Sequence, residues 1–307
     1  MAESTLTVDY MTLARELARQ LGYGLTYDTG TVTSVSTTLT LTGGVWPTWI
    51  GTTTSGSGRA CISIGGSFYG VDSRTNDTVI VLDAAPSASS LAYVIVQSNE
   101  NEQTETMQVI QDCIDEGYRE LCQPNYGNRE MLVYVWSWLL ESASITLAST
   151  DFSYDLPDDF DQYMTAMTWE LGVENDPPEF VSQLEMRAKQ AKDNDSGTPE
   201  YLTWRQKAYV ASTGRRFEVH VHPTPSADVD VNTKKIDYLY RVLPNQLTPT
   251  NRYALCGGLH SDTLLKACQT AAERKLYDQP GPYAAVYAER LAASIQADLV
   301  VKQQMGI

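Results

Sequence analysis

The chain has 307 residues, with 22 Lys and Arg against 38 Asp and Glu and a net charge of −16. That excess of acid excludes a protein whose main work is gripping phosphates, since nucleic-acid binders cluster their cations, and it disfavours docking on an anionic membrane surface. A hydrophobic fraction of 42% suffices for a packed core, and no apolar run is long enough for a transmembrane helix. Residues 1–20 carry acids early and hold no continuous apolar stretch, so they do not read as a secretory leader.

Residues 11–21 (MTLARELARQL) predict a short amphipathic helix, ended by Gly22 and Gly24. The composition then shifts: all eight lysines lie at or after Lys189, and about half of residues 24–97 are Ser, Thr or Gly. Here 31–42 alternates, with Val35, Leu39 and Leu41 on one side, and 60–64, 78–82 and 91–96 are further β-branched runs between Gly- and Pro-rich turns. Such spacing predicts a small β-barrel or sandwich. After a polar linker, 104–122 is helical, with Met107, Ile110, Ile114, Tyr118 and Leu121 on one stripe and Glu105, Asp112, Asp115, Glu116 and Glu120 on the other face. A turn at 124–128 and a second helix at 129–142, with Val133, Trp136, Leu139 and Leu140 inward, predict an antiparallel pair.

Beyond it, 144–154 is extended, 178–191 helical, and 201–209, 216–221 and 235–242 are strands, the last two joined as a long hairpin. Ser261 or Asp262 is placed to cap a helix running to Tyr277, and Pro280-Gly281-Pro282 precedes a last helix at 283–303. The expected fold class is α+β: a helical core of a helix pair and C-terminal helices with β hairpins, plus the inserted all-β module. The expected domains are 1–23 as a core helix, 24–97 as the insert and 98–307 as the core.

No residue pattern commits the chain to catalysis. His220 and His222 share a strand face, but two ligands do not close a metal site; Asp237 or His260 would have to supply a third, and solvent-facing histidines are the simpler reading. Leu259-His260-Ser261-Asp262 holds the residue types of a hydrolytic triad, yet sequence neighbours cannot form the relay and no G-x-S-x-G elbow is present. Asp155, Asp158, Asp159 and Asp161 crowd a polar turn that suits helix capping better than paired acid–base work. The Gly56–Cys61 stretch lacks the third glycine of a phosphate loop. The five cysteines contain no C-x-x-C and read as buried thiols. No cofactor is expected. Tyr (18) far exceeds Phe (5), and Trp46, Trp49, Tyr27, Phe68 and Tyr69 in the β module leave open a sugar-binding face or that module's own core and rim.

Three pieces carry a resemblance. They are Tyr154-Asp155-Leu156-Pro157-Asp158-Asp159-Phe160, then residues 217–223 (FEVHVHP), then 237–248 (DYLYRVLPNQLT), with an Ala-rich helix pair closing the chain. In that order, over roughly 102–307, the chain resembles the head-to-tail adaptor (connector, neck) proteins of tailed bacteriophages of the podovirus type, with an inserted β domain. The resemblance implies a virion subunit without enzyme activity, one of about twelve in a ring that joins the portal protein to tail or nozzle proteins while duplex DNA passes through unbound. It implies that the C-terminal helix, through Tyr283, Tyr287, Leu291, Ile295 and Leu299, engages the portal or a neighbouring subunit. The acids Glu105, Asp112, Asp115, Glu116 and Glu120 then suit a lumen that repels DNA. Another tail, neck or fibre-attachment subunit, or a carbohydrate-binding host-recognition protein acting through the β module, are the alternatives.

Overall fold

The computed structural model describes residues 7–50, 60–98, 103–124, 134–149, 151–163, 167–169, 176–192, 195–212, 214–226, 235–279 and 281–305. In chain order the helices are α1 (Tyr10–Gln20), α2 (Gln103–Cys122), α3 (Gln183–Lys192), α4 (Ser261–Tyr277) and α5 (Pro282–Met305). The strands begin with β1 (Thr26–Tyr27), β2 (Thr31–Val35), β3 (Thr38–Thr42), β4 (Ala60–Ile64), β5 (Ser67–Arg74), β6 (Val79–Leu82) and β7 (Tyr93–Gln97). They continue with β8 (Leu140–Thr146), β9 (Ser153–Asp155), β10 (Phe160–Tyr163), β11 (Thr168–Trp169), β12 (Glu179–Phe180), β13 (Ser196–Gly197), β14 (Tyr201–Gln206), β15 (Phe217–His222), β16 (Thr224–Pro225) and β17 (Lys235–Val242). The mixture is α+β, and the chain divides into two units, 1–137 with 246–307 and 138–245. The β module therefore shares a unit with α1, α2, α4 and α5.

In the first unit, α1 starts where the Asp9 carboxylate accepts the Thr12 backbone N–H at 2.9 Å, an N-cap that Arg252 supports by pairing with the same group. Strands β1 to β7 form one antiparallel sheet in the order β1-β7-β4-β5-β6-β3-β2. Val32 and Leu91 exchange backbone hydrogen bonds of 2.9 and 3.0 Å, which tie edge strand β2 to the segment entering β7 and roll the sheet around Leu39, Ile62, Ile80, Trp46 and Ile95. Residues 31–42 are two strands, and Val35 is 74% exposed, contrary to the expected alternation. The loop between β2 and β3 has two residues, so Val35 pairs with Thr38, on the opposite face from Leu39 and Leu41.

The α2 stripe is buried as expected: Met107, Ile110, Ile114, Tyr118 and Leu121 all face inward. Against α4 the approach is closest at Gly117, where a Cβ would stand 2.5 Å from the Cys268 backbone nitrogen and 2.6 Å from its Cα. α4 is buried from Leu264 to Glu273 over most of its positions. Neither Ser261 nor Asp262 caps it; His260 occupies the cap position, and the Ser261 hydroxyl turns back to donate to the Gly258 carbonyl at 3.0 Å. The Glu273 carboxylate accepts the Tyr283 backbone N–H at 3.0 Å and so serves the first turn of α5 across the loop.

The expected helix at 129–142 is absent over its described part. Ser137–Leu139 is a 3₁₀ turn and Leu140–Thr146 is β8; residues 125–133 lie outside the described ones, as does Gly56–Arg59. Trp136 and Leu139 are buried as expected, but β8 pairs along β17, a long-range ladder that overrides the local helical periodicity.

In the second unit, β17 lies between β8 on one edge and β10 and β11 on the other, while β12-β14-β15-β9 form a second sheet. The expected hairpin of 216–221 with 235–242 is thus replaced: β15 pairs with β14 and β9, and β17 belongs to the other sheet. Residues 144–154 likewise split between the two sheets, and α3 starts only at Gln183, after β12. Both inner faces meet in one core of Ile145, Phe160, Leu202, Val219, Val221, Ile236 and Tyr240, with Phe160 stacked on Tyr240 at 5.7 Å.

Replacing Gly117 by Ala tests the helix approach. Helix propensity alone favours Ala by about 1 kcal/mol. Overpacking against the Cys268 backbone is expected to outweigh this and destabilise the chain by about 2 kcal/mol, read as a lower thermal midpoint. An unchanged or higher midpoint refutes the close contact.

Candidate functional site

A cleft of about 560 Å³ opens between the C-terminal half of α2, α4 and α5, lined by Glu116, Arg119, Glu120, Gln123, Pro124, Arg274, Tyr287, Ala288 and Leu291. Arg274 reaches across it to Glu120 at 2.6 Å and Glu116 at 3.1 Å, and these partners push its guanidinium still further toward the charged form. Two donors there are buried with no hydrogen-bond partner among the described residues: the Tyr287 hydroxyl and the Arg274 Nε–H. Burial raises the Tyr287 phenol above its ordinary range, so it stays protonated and able to donate.

Among the expected acids, Asp112 pairs with Lys275 at 2.6 Å, and Glu116 and Glu120 hold Arg274. Asp115 accepts from Gln246 at 2.6 Å and from Gln111 at 2.8 Å. Glu105 is exposed near the start of α2. The acidic face of α2 is therefore largely matched by the basic end of α4. Of the C-terminal stripe, Tyr287 and Ile295 are buried within this unit, Tyr283 and Leu291 are half-buried, and Leu299 is exposed. The inner face of α5 runs through Tyr287, Leu291, Ser294, Ile295 and Asp298.

Asp298 was not foreseen, although an acid on the apolar stripe of α5 is a legible signal. Its carboxylate is fully buried and accepts from the Tyr134 hydroxyl at 2.7 Å, the Ser137 hydroxyl at 2.5 Å and the Ser137 backbone N–H at 3.1 Å. Lys302, one turn on, stands 3.7 Å from it, donates to the Val135 carbonyl and lies 4.0 Å over the Tyr134 ring. These bonds fasten residues 134–137 to α5 just where the chain leaves the first unit.

The histidines of β15 are not solvent-facing. His220 and His222 are both buried, because both sides of that strand are covered. His220 Nε2 lies 3.1 Å from Glu218, whose carboxylate also takes hydrogen bonds from Arg205 and from Ser153 at 2.8 Å. Burial alone would raise the Glu218 pKa, but these bonds win and hold it at about 2. Burial lowers His220, partly offset by Glu218, so the imidazole is the neutral partner. Asp237 is exposed on β17 and His260 belongs to the other unit, packed 5.2 Å from the Trp136 ring. Among the described residues no group of three His, Cys, Asp or Glu could hold a metal ion.

The carboxylates after Leu156-Pro157 each have their own partner: Asp155 with Lys207, Asp158 with Arg216, Asp159 with the Tyr240 hydroxyl and Asp161 with Arg241. No helix follows them for capping, since β10 begins at Phe160. In the β module, Trp46 is buried against Tyr93 at 5.3 Å, and Tyr27, Trp49 and Tyr69 pack partly on the same core, which favours the module's own packing over a sugar platform. All five cysteines are buried free thiols, and burial pushes Cys61 up to about 12. No helix among the described residues is long and apolar enough to cross a membrane.

Two substitutions test these clusters. Asp298→Asn is expected to cost about 2 kcal/mol in denaturant unfolding and to speed hydrogen exchange at the Ser137 amide; unchanged exchange there refutes the anchor. Because the Glu218 pKa is depressed from 4.5 to about 2, its contribution is complete above pH 4.5 and is lost as pH falls through that window. Glu218→Gln should therefore be less stable at pH 7 by about 2 kcal/mol and show a flatter loss of stability between pH 4.5 and 2. Parallel curves for the two proteins would exclude the ion cluster.

A sequence search finds no matching curated protein. A family model described as SU10 adaptor protein matches residues 84–306, well over half of the 307-residue chain. The matched span takes in β7, α2, the whole of the second unit, α4 and α5. It thus covers the cleft, the Asp298 anchor and the described sheets of the second unit: the chain belongs to the SU10 adaptor protein family and is a structural adaptor of a phage virion.

Proposed function

We propose that the chain is a ring-forming subunit of the head-to-tail junction, bound to the portal on one side and to tail or nozzle proteins on the other, with the genome passing through its lumen. The observation that carries this is the adaptor-family match across residues 84–306; interaction with other head and tail proteins follows from the family itself. The count of about twelve copies rests on the resemblance alone. A net charge of −16 lets DNA pass without being held, since few cations are available to displace its counterions. The repulsion is assigned to the surplus of acids over the whole chain, because Asp112, Glu116 and Glu120 already have cationic partners. Portal engagement is assigned to the exposed part of the C-terminal helix, Leu299 with Val300 and Met305, since Tyr287 and Ile295 are occupied by their own fold. Subunit synthesis in the host cytoplasm, assembly at the neck and a part in genome ejection complete the reading.

Electron microscopy of the chain mixed with its cognate portal tests it. A ring of density stacked coaxially on the portal is expected, and it should be lost when residues 299–307 are removed. A chain that never joins the portal, or that joins it equally well after this truncation, overturns the assignment in its first or second part respectively.

A further inference from the structure

We infer that the cleft between α2, α4 and α5 of one copy receives the outer face of α5 from the next copy, with Glu289 meeting Arg119; the inference rests on the reading that copies assemble side by side. The cleft occupies the side of α5 that carries Tyr287, Ala288 and Leu291. On the opposite side Val286, Glu289, Ala293 and Gln296 recur at spacings of three and four, and all four are exposed. Val286 is 37% exposed, so the stripe presents Val286 and Ala293 on either side of the Glu289 carboxylate, with the polar Gln296 beyond them. Receiving and inserting surfaces therefore lie back to back on a single helix.

This arrangement selects a second copy as the occupant. A contact between two different patches of the same chain is heterologous; it repeats in one direction and closes as a ring when the rotation permits. Charge points the same way. Copies carrying −16 each repel one another, so a stable contact between them needs acid matched to base across the junction. Arg119 is exposed at the mouth of the cleft and has no ion-pair partner among the described residues, and the same holds for Glu289 on the inserting face. The incoming carboxylate accepts from Arg119 at the mouth of the cleft. Val286 and Ala293 then cover the apolar floor formed by Ala288, Leu291 and the Tyr287 ring.

The test is a charge swap on the full chain, with self-association followed by sedimentation velocity at low salt and thermal midpoints measured alongside. Arg119→Glu and Glu289→Arg should each weaken association by about tenfold or more with unchanged midpoints. The double swap should recover most of the loss. Association untouched by either single swap, or no recovery in the double swap, overturns this interface and leaves the ring reading in place. A wild-type chain that stays monomeric at every concentration also overturns it, whereas the ring reading is decided separately by the portal-bound images.

Discussion

At Gly117 the backbones of α2 and α4 come closer than any side chain larger than hydrogen allows, and the first unit is organised around that approach. α2 is covered by α1 and by strands β4 and β5 of the module on its other sides, so it is the strut that joins the rolled sheet to the C-terminal helices. The spacing set at Gly117 brings Lys275 to Asp112 and Arg274 to Glu116 and Glu120. Each such pair is partly solvated and contributes little alone. Together they fix the register of α4 along α2, and with it the position of α5, whose first turn depends on Glu273. The cleft is what remains where α5 crosses the far end of that pair.

Much of this was legible in the residues, and the reasons differ from element to element. The stripe of Met107, Ile110, Ile114, Tyr118 and Leu121 declared α2 because its apolar positions share one period over about four turns. Val35 was misread because a two-residue turn reverses the face on which alternation continues, and nothing in 31–42 marks where that turn falls. Trp136, Leu139 and Leu140 imitate a helical face, yet the segment's hydrogen bonds go to β17, almost a hundred residues away. Local periodicity carries no information about such a partner. His220 and His222 alternate with valines as if one face met water; a strand covered on both sides keeps the same alternation, and only the tertiary fold reveals the second cover.

The candidate site was legible in halves. The acidic face of α2 and the tyrosines of α5 stood out from composition and spacing, but Arg274 and Lys275, at the end of a helix with no amphipathic emphasis, did not. Their importance lies in which acids they face, a relation between elements over 150 residues apart in sequence. Asp298 is different. It interrupts a buried stripe, and an acid in that position announces a set of donors waiting for it.

The chain passes between its two units twice, once after Ser137 and once before Gln246. Ser137 is held by Asp298 on α5, whereas Gln246 and Leu247 are held by Asp115 and Gln111 on α2. Tension applied to residues 138–245 is therefore divided between two helices, which are themselves locked together through α4. Neither crossing can be peeled away residue by residue from a free end, because each is pinned at its root. Mechanical load entering through the second unit meets two separate polar anchors before it reaches the helices of the first.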